Sequence, residues 1–152
     1  MAIDNTPMLV PHLVVDDAAA AIDFYVRAFG ATEQMRLPDP DGKILHACVE
    51  INGAPVFLND DFPEYSDGKP STPKALGGSA VTIHLHGPDV DGRFQRAIDA
   101  GATVVSPLED QFWGDRYGLL RDPFGHQWSL AESVREVDYA AMADQMAQQS
   151  SQ

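Results

Sequence analysis

The chain has a single cysteine, Cys48, so no disulfide can form within it and no oxidising compartment is implied. Cys48 sits in an apolar run and reads as a small core residue rather than a nucleophile. Cationic residues are also scarce. Ten Lys and Arg stand against twenty-three Asp and Glu, a formal charge of −13. That balance repels polyanions, which argues against nucleic acid and anionic membrane surfaces as partners and favours a neutral or cationic small molecule. No stretch approaches the ~20 apolar residues of a membrane span, and the opening MAIDNTPMLVPHLVV lacks a cationic region followed by an apolar block. The expected location is the cytoplasm. Missing too are a nucleophile elbow, a phosphate loop and a dinucleotide fingerprint, so the common signatures of hydrolases and nucleotide enzymes do not apply.

What is present is punctuation at regular places. Met8 to Val15 reads as a strand, with Pro11 at an edge or bulge because proline cannot donate to a ladder. Asp16-Asp17 offers a helix cap, Ile22, Tyr25, Val26 and Phe29 recur at helical spacing, and Gly30 closes the helix. Strands at 32–37, 43–51 and 54–59 follow, the last two joined by Asn52-Gly53. Residues 60–78 carry three prolines and three glycines without an apolar period and read as a connector. The order then repeats. A strand at 80–86 precedes a helix capped by Asp89 or Asp91, with Phe94, Ala97 and Ile98 on its apolar face. Gly101-Ala102-Thr103 matches Gly30-Ala31-Thr32, and Asp122-Pro-Phe-Gly125 forms a turn between strands at 117–121 and 127–131. The expected fold is α+β: two βαβββ modules (8–59 and 79–132) in one domain spanning 1–152, with outer helices at 17–29 and 90–100. Residues 133–152 would add a C-terminal helix and tail. Each module alone leaves one sheet face uncovered, so the two together should form a shared cleft.

The helix entry VDDAAAAIDFYVRAFGA and the stretch FWGDRYGLLRDPFGHQW resemble the vicinal oxygen chelate superfamily of glyoxalases, bleomycin-resistance proteins and dioxygenases, with the closest likeness to its PhnB-like branch. The likeness spans residues 8 to 132 and implies the glyoxalase/bleomycin-resistance fold, usually as a homodimer. In metal-dependent members, the ligands come from the first and fourth strands of each module. Here those positions fall on Val10, Phe57, Thr82 and Ser129, none a good ligand for a divalent ion. The resemblance therefore points to a protein that binds a small, partly apolar molecule in an aromatic-lined cleft without the usual metal. The alternative is a metal-dependent lyase or dioxygenase whose site is displaced onto other histidines.

His12 and His84 are the candidates for that displacement. Each lies two residues past a vacated ligand position and so points to the same sheet face, with Glu50 as a conceivable carboxylate partner. As plain cleft histidines they would instead hydrogen-bond a ligand. Trp113, Arg116 and Tyr117 lie in a ring-rich loop and suit a planar or anionic ligand, by stacking and through a forked donor, with Gly114 and Gly118 allowing close backbone approach. The structural alternative has Trp113 capping the barrel end and Arg116 pairing with Asp115 or Asp122. Phe57 would make the cleft apolar, whereas Trp128, on the opposite side of its strand from Ser129, should pack against a helix. His46, His86 and His126 sit beside turns or strand ends and are not expected to be ligands.

Overall fold

The computed structural model describes residues 9–150. The first module runs β1 (His12–Val15), α1 (Ala18–Phe29), β2 (Thr32–Pro38), β3 (Ile44–Ile51) and β4 (Ala54–Asp60). The second runs β5 (Thr82–His86), α3 (Val90–Ala100), β6 (Thr103–Asp110), β7 (Asp115–Arg121) and β8 (Gln127–Ser133). Between them lie a 3₁₀ turn at Pro63–Tyr65 and a one-turn helix, α2 (Pro73–Leu76), and a final helix, α4, spans Tyr139–Ser150. The sheets are ordered β1-β4-β3-β2 and β5-β8-β7-β6, each with one parallel and two antiparallel pairings. The two modules have the same topology, as the repeated helix–turn–hairpin order predicts.

Local chemistry sets the helix ends where the sequence places them. Asp17 accepts from the Ala20 amide at 3.1 Å, while Gly30 adopts φ +68° and returns its N–H to the last turn. Asp89 caps α3 through the Gly92 amide. Alternation along the strands then divides each sheet into two faces. Leu13, Val15, Ala47, Val49, Val56 and Leu58 are buried toward α1, and Trp128 and Leu130 are buried on the helix-facing side of β8. Burying each of the larger side chains stabilises the fold by about 1.5–3 kcal/mol. Trp128, fully buried, packs its ring 4.6 Å from Phe29 and 5.2 Å from Tyr25, so it does serve the core.

The modules are joined through helix contacts between α1 and α3 and through the Asp122 turn. Asp122 is 4 % exposed and both its carboxylate oxygens are used. Oδ2 accepts from the Tyr25 hydroxyl at 2.6 Å and Trp128 Nε1 at 2.9 Å, and Oδ1 accepts from the amides of Phe124 and His126. Burial, then the charge of Asp122, pushes the Tyr25 hydroxyl pKa well above its ordinary range, so this phenol remains a donor. His126 Nε2 donates to the Val14 carbonyl of β1 and adds a second tie across the modules.

Three expectations are corrected. The first strand starts at His12; Val10 and Pro11 precede it, and Met8 lies outside the described residues. Residues 60–78 are not bare connector. Asp60 ends β4 and is buried, accepting from the Ala18 and Ile44 amides at 2.7 Å each, and Thr72 caps α2. Their polar composition hid the fact that a short cap needs no apolar period. Cys48 is half-buried on the helix-free side of β3, because its neighbours Ala47 and Val49 take the core side. Burial raises its thiol pKa, which keeps it un-ionised near neutrality.

Candidate functional site

The helix-free face of each sheet carries the polar and aromatic side chains, and a cavity of about 570 Å³ lies where β1 of one module meets β5 of the other. His12 and His84 both line it, with Val10, Val81, Ile83 and Gln127 among its largely apolar walls. The two histidines matched by sequence position thus face one space. No membrane-length apolar helix occurs among the described residues.

On the first module's free face, β1–β4 pairing sets His12 opposite Phe57, with the rings edge-on at 6.0 Å. His12 Nε2 donates to Asn59 Oδ1. His46 joins them, 4.8 Å from Phe57 and 6.0 Å from His12 between ring centroids. His46 was not expected to be a ligand because it stands near a turn; the β3–β4 register carries it onto this face. Glu50 is exposed at the far end of β3.

The second module's free face holds a longer array. Tyr117 lies parallel to the His84 ring at 6.2 Å, and Trp113 meets Tyr117 edge-on at 5.8 Å. His84 Nδ1 is 2.7 Å from Ser129 Oγ, and its Nε2 is 3.2 Å from His86 Nδ1. His86 Nε2 is 2.9 Å from Ser133 Oγ, which donates to Asp115 Oδ1 at 3.2 Å, while Trp113 Nε1 donates to Asp115 Oδ2 at 3.1 Å. Burial, followed by the neighbouring His86, lowers the His84 pKa against the opposing pull of Asp115, which favours a neutral ring. His86 and Ser133 had no assigned part in the sequence reading, and Asp115 figured there only as a possible partner of Arg116. The period-two spacing of His84 and His86 was the available signal. Ser133 was out of reach because polar Glu132-Ser133 looked like a strand end, whereas β8 continues through both.

The structure thus brings five of the six expected residues, His12, Phe57, His84, Trp113 and Tyr117, onto the free faces. It sends Arg116 elsewhere. Asp115, Arg116 and Tyr117 belong to β7 rather than to the preceding loop, so alternation turns Arg116 to the opposite side from Tyr117. There it forms ion pairs with Asp91 of α3 at 3.0 Å and Asp110 of β6 at 3.2 Å, partners other than the Asp115 or Asp122 weighed from sequence. Those hydrogen bonds raise its already high pKa. The glycines also have structural reasons. A Cβ on Gly118 would stand 2.6 Å from the Phe94 ring of α3, and one on Gly114, at φ +99°, would stand 2.6 Å from the Arg135 carbonyl. These glycines admit neighbouring protein atoms.

The four positions that hold a divalent ion elsewhere in the resembling family do not fit one here. Val10 and Phe57 lack donor atoms, Thr82 pairs with Gln127, and the Ser129 hydroxyl is engaged by His84. Among the described residues, no three His, Cys, Asp or Glu side chains gather around a common point.

The chain is 62 % identical over 149 residues to an uncharacterized protein of Mycobacterium bovis, covering 95 % of this chain and 98 % of that one. Among solved structures it resembles TioX from Micromonospora sp. ML1, at 33 % identity and a TM-score of 0.65 over 84 % of this chain and 99 % of that one. The PhnB protein of Bacillus cereus shares the fold at 16 % identity and a TM-score of 0.59, over 83 % and 99 % of the two chains. The profile of the Glyoxalase/Bleomycin resistance protein/Dioxygenase superfamily matches residues 7–130, and with the paired βαβββ modules this places the chain in that superfamily.

Proposed function

We propose that this protein holds a small, partly apolar molecule in the cleft between its modules without the family's divalent ion, as a PhnB-like member. The observation carrying this reading is the 570 Å³ cavity, of a size that suits a small ligand, lined by His12 of one module and His84 of the other, whose rings lie beside Phe57 and Tyr117 respectively. The PhnB-like placement rests on the helix-entry and DPFG motifs. Phe57 supplies apolar contact where other members carry a ligand atom. His12, His84, Tyr117 and Trp113 supply stacking surfaces.

The test is a thermal-shift screen of small molecules, followed by titration of the best binder into the parent and Trp113→Ala. Loss of this half-buried ring is expected to weaken binding by about 1–3 kcal/mol, roughly tenfold to a hundredfold, with little change in melting. Unchanged affinity together with a large drop in melting temperature would make Trp113 structural and move the ligand off this face. We further propose that two copies associate. Met35 and Leu37 of β2 and Val104 and Val105 of β6 are exposed apolar side chains on outer strands, which a second copy would cover. Light scattering at micromolar concentration should report twice the 16.5 kDa chain mass, and a single-chain mass would refute the association.

A further inference from the structure

The hydrogen bonds on the second module's free face have a forced direction. The Asp115 carboxylate only accepts, so Ser133 must give it the one hydroxyl proton it has. Ser133 Oγ can then only accept from His86, which puts a proton on His86 Nε2 and, in the singly protonated ring, leaves Nδ1 bare. His84 must donate to that Nδ1 through its own Nε2–H, leaving its Nδ1 to accept from the Ser129 hydroxyl. Trp113 Nε1–H closes the other end on Asp115. Every polar hydrogen in the chain from Ser129 to Ser133 therefore points along it toward Asp115. The lowered His84 pKa agrees with a neutral ring in this arrangement.

The consequence concerns what remains for a ligand. Histidine and serine are ordinarily donors that could hold an anion, but here their hydrogens are already engaged. Left for a ligand are the remaining lone pairs on Asp115 and Ser133 and the electron-rich rings of Tyr117 and Trp113, with the Tyr117 hydroxyl as the one donor that side-chain bonding on this face leaves over. The nearest arginine in sequence, Arg116, is on the other side of β7 and held by two carboxylates. Arg135 is turned to the carbonyls of Gln111 and Phe112.

We propose that the Ser129–His84–His86–Ser133–Asp115 chain makes this face an acceptor-rich site that selects flat aromatic cations, stacked on the Tyr117 or the Trp113 ring with their positive charge toward Asp115. The proposal rests on the ligand-binding reading above and narrows it to a ligand class.

The test compares proflavine, a flat tricyclic cation, with anthracene-9-carboxylate, a flat tricyclic anion, by calorimetric titration at physiological salt. The cation is expected to bind at least about tenfold more tightly, and Asp115→Asn should remove most of that preference while melting stays near the parent's. Asp91→Asn removes the same charge from the helix side and should leave the preference unchanged; an equal loss there would show that net charge, and no site, attracts the cation. Long-range proton–nitrogen spectra of the imidazoles, assigned with His84→Gln and His86→Gln, give an arm that needs no ligand. Both rings are expected as Nε2–H tautomers at neutral pH. A Nδ1–H tautomer at either ring, or an anion bound as tightly as the cation, would overturn the proposal. If the broader screen finds only neutral or anionic ligands that perturb Trp113, the cleft binds but this selectivity is wrong. If no compound binds, both readings fall.

Discussion

The two faces of the second sheet put the same residue types to different uses, as two aspartates bracketing one strand illustrate. Asp122, just past β7, is buried against α1 and the Trp128 ring, and of its four acceptor contacts three come from buried groups and one from the part-buried His126 amide. Asp115, at the start of β7, also accepts at both oxygens, but from Ser133 and Trp113 on the helix-free face. A carboxylate in the first setting fixes the fold, because removing it strands buried donors whose desolvation is then uncompensated. One in the second setting is only half-buried, and it is the group that the proposed cationic ligand would meet. Between them, β7 alternates: Arg116, Gly118 and Leu120 face α3, and Asp115, Tyr117 and Leu119 face away.

This contrast can be broken experimentally. The largest effect should come from Asp122→Ala, which leaves the Tyr25 hydroxyl and the Trp128 indole N–H buried without an acceptor. A destabilisation of about 3–5 kcal/mol is expected, or a melting temperature lower by roughly 10 °C or more. Chemical unfolding measures it, and a loss below about 1 kcal/mol would mean that water or backbone groups replace the carboxylate and that Asp122 is no hub. The smallest effect sharpens the comparison from the opposite direction. Arg116→Ala removes two ion pairs whose carboxylates are mostly exposed, so melting should hardly move. Ligand affinity should be unchanged as well, since this guanidinium faces away from Tyr117. A Trp113-sized loss of affinity in Arg116→Ala would show that the arginine turns to the ligand face in solution.

Much of the fold was legible because its signals are local. Caps at Asp17 and Asp89, closing glycines at Gly30 and Gly101, and the Asn52-Gly53 and Asp122-Pro-Phe-Gly125 turns each need only a few neighbouring residues to act. The site was legible in part. His12 and His84 could be matched because period-two alternation carries two residues onto the same face, and their common cavity follows from the repeat. Arg116 was misplaced by one feature. Starting the strand at Tyr117 left Asp115 and Arg116 in the loop and removed the alternation that turns the arginine toward α3. Gly118 was misjudged for a related reason, since only the seating of α3 shows that Phe94 occupies the space above it.

The sequence by itself determined the two-module plan and the acidic surplus, because turn chemistry and charge require no long-range information. The tertiary structure decided which polar groups meet. His84 finds Ser129 forty-five positions away through parallel β5–β8 pairing, and Tyr25 finds Asp122 ninety-seven positions away through the packing of α1 on the second module. Register and helix seating are cooperative properties of the whole core, so no window of residues contains them. The direction of the histidine chain belongs to the same class: it is imposed from one end by a carboxylate that only accepts, and that end is set by where β7 begins.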